Sequence, residues 1–198
     1  MNISGVILAG GTNRRFKGIT KAKIVIEGKS IISRIIDTIR DVFDEIIIVT
    51  NTPEVFKEFN NCKLVPDHFK MAGPLGGIHA ALKTASGDAV FVFAGDMALL
   101  NKELIVKQIT YYSNNKTDAL IPRIVSNIEP LHAIYSTDIL IILEDYLTKG
   151  NDYAVWKFLK LINVGFLQVE DSKVNKLAFT NINTPSDLAR VQKLLGLP

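Results

Sequence analysis

Ile3-Ser4-Gly5-Val6-Ile7-Leu8-Ala9-Gly10-Gly11 is the stretch from which the fold can be read. Its mainly apolar run ends in a glycine pair. That pattern suits a strand buried on both faces, as in a parallel sheet, better than a half-exposed one. Working outward, residues 31–43 place Ile32, Ile35, Ile36, Ile39 and Phe43 at helical spacing. Residues 45–50 carry four consecutive β-branched apolar side chains, Ile46, Ile47, Ile48 and Val49, and predict a second buried strand. Pro53 opens a short helix at a position proline tolerates. A brief strand over 63–65, a helix over 75–85, a strand over 88–93, a helix over 102–112 and a strand over 119–122 continue the alternation.

Strands alternating with helices imply a mostly parallel sheet with helices on both faces, a three-layer α/β/α, Rossmann-like architecture. Right-handed crossovers put every strand's C-terminal end on one edge. The polar segments at 10–21, Thr50-Asn51, Pro66-Asp67 and Gly95-Asp96 are therefore expected to converge there. The second half is less regular. It predicts a strand over 131–135, helices over 138–147 and 154–162, strands over 164–169 and 177–181, and a terminal helix over 185–195 capped by Thr184. Trp156, Phe158 and Leu159 are expected in the core. No linker or repeat interrupts the 198 residues, so 1–198 reads as one domain.

Composition narrows the function classes. At 47% hydrophobic and 22% charged, the chain can build a core and is not a disordered segment. A net charge of +3 without a basic tract argues against nucleic acid as partner. The lone Cys62 cannot form an intrachain disulfide or a cysteine-rich metal site, and its apolar surroundings predict a buried thiol. The first residues lack the positive cluster of a signal peptide, and no run is long enough to span a bilayer, so a cytoplasmic location without a membrane partner is expected.

The chemistry concentrates at strand ends. The loop after Leu8 and Ala9 begins with Gly10 and Gly11, whose backbone can close on a base or phosphate. Arg14, Arg15, Lys17, Lys21 and Lys23 follow, enough cations to offset a triphosphate under attack at its α-phosphorus. A solvated surface loop would show the same residues. Gly28-Lys29-Ser30 has the end of a Walker loop, but Lys23 stands where its first glycine belongs, and Gly10-Gly11 lacks the dinucleotide spacing. Asp96, just after the 88–93 run, is placed to hold Mg2+ against phosphate oxygens, although a turn aspartate would look alike. Asp67 is followed by Gly73-Pro74-Leu75-Gly76-Gly77, a second glycine-rich turn at a helix start. Asn181 and Asn183 flank Ile182 at strand spacing and share a face. His68, His79 and His132 have no metal-ligand spacing and read as core or surface histidines, and no serine- or cysteine-hydrolase signature occurs.

Taken together, Leu8-Ala-Gly-Gly, Arg15-Phe16-x-Gly18-x-x-Lys21, Gly28-Lys29, Asp67, Gly73-Pro-Leu-Gly-Gly77, Gly95-Asp96-Met97 and Asn181-Ile-Asn183-Thr-Pro185 resemble the molybdenum cofactor guanylyltransferases. The resemblance implies a nucleotidyltransferase (nucleotide-diphospho-sugar transferase) type of fold. It also implies GMP transfer from GTP to Mo-molybdopterin with pyrophosphate release, Mg2+ as cofactor, and molybdenum-cofactor biosynthesis proteins as partners. Carried over by position, Leu8, Ala9, Gly10, Gly11, Lys21, Thr50, Asn51, Asp67, Gly73, Pro74, Leu75, Gly76 and Asp96 would contact the nucleotide. Lys21, Arg15 and Asp96 would carry the catalysis, Asp96 would also hold the metal, and Asn181 and Asn183 would face the pterin. Four positions depart from the pattern: Phe16-Lys17 where the family often has Met-Gly, Thr20 where it usually has Asp beside the lysine, and Ala98 where it usually has proline. A molybdopterin cytidylyltransferase, a sugar-phosphate nucleotidyltransferase and a non-catalytic nucleotide-binding regulator remain alternatives.

Overall fold

A computed structural model describes residues 1–10, 20–150 and 152–194. The chain begins with β1 (Ile3–Leu8), then a small hairpin of β2 (Val25–Ile26) and β3 (Lys29–Ser30), and α1 (Ile31–Ile39). Next come β4 (Ile46–Val49), β5 (Lys63–Val65), α2 (Pro74–Thr84), β6 (Ala89–Ala94) and α3 (Lys102–Ser113). The second half holds β7 (Ala119–Ile124), β8 (Asn127–Ile128), β9 (His132–Ser136), α4 (Leu140–Lys149), α5 (Val155–Phe158), β10 (Val164–Val169), α6 (Lys173–Ala178) and α7 (Pro185–Leu194).

The main sheet runs β5-β4-β1-β6-β9-β7-β10, with β8 added to β7. β1 pairs in parallel with both β4 and β6, and β4 with β5. Only β9 and β8 run against their neighbours. The sheet is thus mostly parallel and mixed, as the alternation predicts, and β9 is the departure. β9 follows β7 through the short β8 turn, too short a connection to cross a face, so it must return antiparallel.

Side-chain alternation along the buried strands divides the interior in two. Ile7, Ile46, Ile48, Phe91 and Phe93 pack with α1 and α3, whereas Val6, Ile47, Val49, Val90 and Val92 pack with α2, α4 and α5. This is why these strands read as unbroken apolar runs: both faces are covered. Each such side chain contributes roughly 1.5–3 kcal/mol of transfer free energy, enough to hold the strands in register while their ends stay polar. α1 buries Ile31, Ile32, Ile35 and Ile39, and its first turn is capped by Ser30, whose hydroxyl accepts from Ser33 N at 3.3 Å.

Several sequence expectations need correction. The strand expected over 177–181 is instead the end of α6 and a loop, with a single bridge from Asn181 to Met97. Ala178 within it and Ile182 just beyond it are buried against the core from a helix and a strap, which composition alone does not distinguish from a strand. The helix expected over 154–162 shortens to α5 and one 3-10 turn. Phe158 and Leu159 enter the core, but Trp156 is half exposed, with the Lys160 Nζ 4.6 Å from its ring centroid. Cys62 is partly rather than fully buried. Gly28-Lys29-Ser30 belongs to the β2–β3 hairpin, where Glu27 and Gly28 both take positive φ, and is no phosphate loop. Thr184 does cap α7: its hydroxyl accepts from Asp187 N at 3.1 Å.

Candidate active site

The parallel order places the C-terminal ends of β1, β4, β5 and β6 side by side, so the segments after Leu8, Val49, Val65 and Ala94 form one edge. Leu8 and Ala9 sit at its centre. Ala9 N donates to Val49 O at 2.9 Å, and Gly95 N donates to Leu8 O at 3.0 Å. A Cβ on Gly95 would lie 2.7 Å from that same oxygen, so only glycine lets the Asp96 loop close on β1. Gly10 is exposed at the tip. Gly11 and Arg15 lie outside the described residues, as do Phe16, Lys17 and Gly18.

Lys21 opens a 3-10 turn, Lys21–Lys23, anchored by buried Ala22 and by Ile24 N donating to Lys21 O at 3.0 Å. Its ammonium lies 3.1 Å from Asp96 Oδ2 and donates to Asn183 Oδ1 at 2.5 Å. Residues far apart in the chain thus meet, with Lys21 and Asp96 side chains only 27% and 18% exposed. Thr20 makes no capping contact, and the acid that faces Lys21 is Asp96 instead of a chain neighbour. The strap from 181 to 183 is fixed on the Asp96 loop: Asn181 bridges Met97, and Ile182 N donates to Asp96 O at 2.9 Å. Ile182, between Asn181 and Asn183, is fully buried, and of the two asparagines only Asn183 reaches Lys21. Asp187 secures the strap by accepting from Asn183 N, Thr184 N and the Thr184 hydroxyl, at 3.0, 2.9 and 2.9 Å. The Asn181 Oδ1 is buried without a partner among the described residues.

On the other side of β1, Thr50 is buried and its hydroxyl accepts from Thr52 N at 3.1 Å, while exposed Asn51 accepts from Asp67 N, also at 3.1 Å. Asp67 lies against the first turn of α2, where a Cβ on Gly76 would come within 2.6 Å of its Oδ1. That oxygen has no partner among the described residues, and burial raises the Asp67 carboxyl above its ordinary value. Gly73 precedes the helix at φ +58°, Pro74 takes the first turn, and Leu75 is fully buried beneath them. Exposed Gly73 and Pro74 therefore lie with Asp67 on the β5 side of the edge. The Lys21, Asp96, Asn181 and Asn183 group lies on the β6 side.

One residue of this edge went unread in the sequence. Glu129 precedes β9, whose antiparallel pairing with β6 brings it beside the Asp96 loop; Ala94 N donates to Leu131 O at 2.9 Å. Burial, reinforced by the Asp96 charge, pushes its carboxyl up to about 7. An acid directly before an apolar strand run is a weak signal, and only the pairing gives it meaning. His79 and His132 are buried, as expected of core histidines; His132 packs edge-on against Phe91, Phe93 and Phe179, and burial lowers it to about 4. His68 is exposed.

A convergent lysine, carboxylate and amide at the end of a parallel sheet, beside a glycine-lined strand end, suits phosphate chemistry. The profile of the MobA-like NTP transferase domain matches residues 5–164. The chain belongs to that family. A probable molybdenum cofactor guanylyltransferase from Natranaerobius thermophilus is 37% identical over 98% of this chain and 97% of its own length. A molybdenum cofactor guanylyltransferase from Desulfosudis oleivorans is 33% identical, covering 96% and 94%. Among solved structures, molybdopterin-guanine dinucleotide biosynthesis protein A from Archaeoglobus fulgidus superposes with a TM-score of 0.80 at 25% identity, covering 98% of both chains. The chain is therefore a nucleotidyltransferase-type enzyme, and the motif resemblance and the whole-length comparisons agree. Among the described residues no helix is long and apolar enough to cross a membrane.

Proposed function

We propose that this chain, acting as one domain, transfers GMP from GTP to the terminal phosphate of Mo-molybdopterin, releasing pyrophosphate. The observation that carries this reading is the meeting of Lys21, Asp96 and Asn183 at 3.1 and 2.5 Å on the sheet edge of a guanylyltransferase relative. The acceptor phosphate is already ionised, so its attack on the α-phosphorus needs alignment and charge neutralisation more than a strong base. Lys21 offsets charge on the phosphates, with Arg15 as its assigned helper. Leu8, Ala9, Gly10 and Gly11 present backbone to the nucleotide. Thr50, Asn51, Asp67 and the turn over 73–76 line its other side, and Asn181 with Asn183 turn amide groups toward the pterin.

The donors also fit Mg2+. Asp96 supplies a carboxylate, and the neighbouring Asn181 Oδ1 is a buried oxygen without a partner. Such hard oxygens suit Mg2+, which is ordinarily held by one or two carboxylates together with substrate phosphates. When bound, it would add charge neutralisation at the phosphates.

The test is pyrophosphate release with GTP, CTP, ATP and UTP, each with and without Mo-molybdopterin. Release with GTP that requires molybdopterin is expected. Release with CTP alone would make the chain a cytidylyltransferase, and nucleotide binding without turnover would make it a regulator.

A further inference from the structure

The cation seated at Asp96 in this structure is the chain's own. Lys21 Nζ is held between Asp96 Oδ2 at 3.1 Å and Asn183 Oδ1 at 2.5 Å, and Asp96 is its only carboxylate partner within 4.0 Å among the described residues. Both oxygens are fixed from behind. Asp96 belongs to a loop sealed to β1 by Gly95, and Asn183 to a strap tied by Asp187. Lys21's backbone is equally fixed in its 3-10 turn, so only its side chain is free to leave. That side chain is a compact charge on a flexible four-carbon stem. A divalent cation drawn to Asp96 would meet the ammonium within a few ångströms, in a partly desolvated pocket where like charges repel more strongly than in water. A triphosphate supplies what removes that conflict, a stronger anionic partner for the same lysine.

We infer that Lys21 latches Asp96 in the nucleotide-free enzyme and excludes the divalent cation until phosphate draws the ammonium away, so that nucleotide and cation enter together. This rests on the reading of Asp96 as the cation-holding carboxylate. It makes Lys21 a competitor of the metal as well as a helper in transfer. The consequence is counterintuitive: removing the lysine disables turnover yet improves metal binding.

The experiment measures Mn2+ binding to nucleotide-free protein by the electron paramagnetic resonance signal of free Mn2+. Wild type is compared with Lys21→Met and Asp96→Asn, each confirmed folded by its melting temperature. Lys21→Met is expected to bind Mn2+ about tenfold more tightly than wild type, and Asp96→Asn to bind more weakly than either. In saturating GTP the advantage of Lys21→Met should disappear, because the latch is then already open. Equal or weaker binding by Lys21→Met, with binding still lost in Asp96→Asn, overturns the latch and leaves Asp96 as the cation's carboxylate. Wild-type affinity in Asp96→Asn overturns that assignment and the latch with it.

Discussion

The two edges of the sheet treat their carboxylates in opposite ways. At the N-terminal edge, Glu45 precedes β4 and is fully partnered: it takes hydrogen bonds from the Ser4 hydroxyl, from Ser86 N at 2.9 Å and from Lys63. Burial pushes its carboxyl up, but these donors outweigh it and hold the group at about 2. Asp88 nearby accepts from Asn2 N at 2.8 Å. At the C-terminal edge, Asp67 Oδ1 and Asn181 Oδ1 are buried without partners among the described residues, and Glu129 is pushed up to about 7. Leaving a buried polar atom unpaired costs roughly 1–3 kcal/mol. Partnerless buried atoms also occur on Gln108, Thr117 and His132, so what marks the C-terminal edge for binding is their grouping there with the exposed Gly10 and Gly73 loops, while the carboxylates of the other edge stabilise the molecule.

Three substitutions would break or sharpen that contrast. The largest effect is expected from Asp96→Asn, which should lower turnover by about 10²–10³-fold in a pyrophosphate-release assay. The same change should move stability by less than about 1 kcal/mol, since the pair it breaks is partly exposed. A large drop in melting temperature would instead place Asp96 with the stabilising edge. Next, Glu45→Gln should destabilise the fold by about 2 kcal/mol at pH 7 with KM for GTP unchanged. Because the folded carboxyl titrates below its ordinary 4.5, its contribution is present above that value and fades as pH falls toward 2. Urea unfolding at pH 7 and pH 3 should therefore show wild type and variant converging in acid. Smallest is Glu129→Gln. Its folded carboxyl titrates above 4.5, so wild type loses stability as pH rises from 4.5 to about 7. The variant should be more stable at pH 8 by about 1–2 kcal/mol, with the gain absent at pH 4. Equal melting temperatures at pH 8 would show that Glu129 is already satisfied.

Much of the fold, and the edge on which the candidate site lies, is legible in the sequence, and the reason is local. Val90-Phe91-Val92-Phe93 and Ile46-Ile47-Ile48-Val49 are strands because they are unbroken β-branched or aromatic runs buried on both faces. Their ends follow from the right-handed crossover rule, so Asp67 and Asp96 could be assigned to one edge. The β2–β3 hairpin, α6 and the extent of α5 were not legible, because these short elements carry no apolar run or clear period of their own and draw their stability from tertiary packing. Trp156 was misread because an aromatic residue at helical spacing can face solvent when lysine ammonium groups sit over its ring. Glu129 went unread because its meaning depends on β9 running antiparallel beside β6.

The sequence by itself determined the alternating architecture, the edge where its polar loops converge and the family motifs, since each rests on periodicity or on a residue type in a fixed local order; the resemblance to the family is what picks Lys21 from the five nearby cations. Only the tertiary structure decided what that lysine touches. Thr20 beside it offers no charge, and its partners stand 75 and 162 positions away, brought in by the strand order and by a strap that looked like a strand. Hydrogen bonds of about 3 Å between groups so distant in the chain are fixed by packing, which no local pattern encodes.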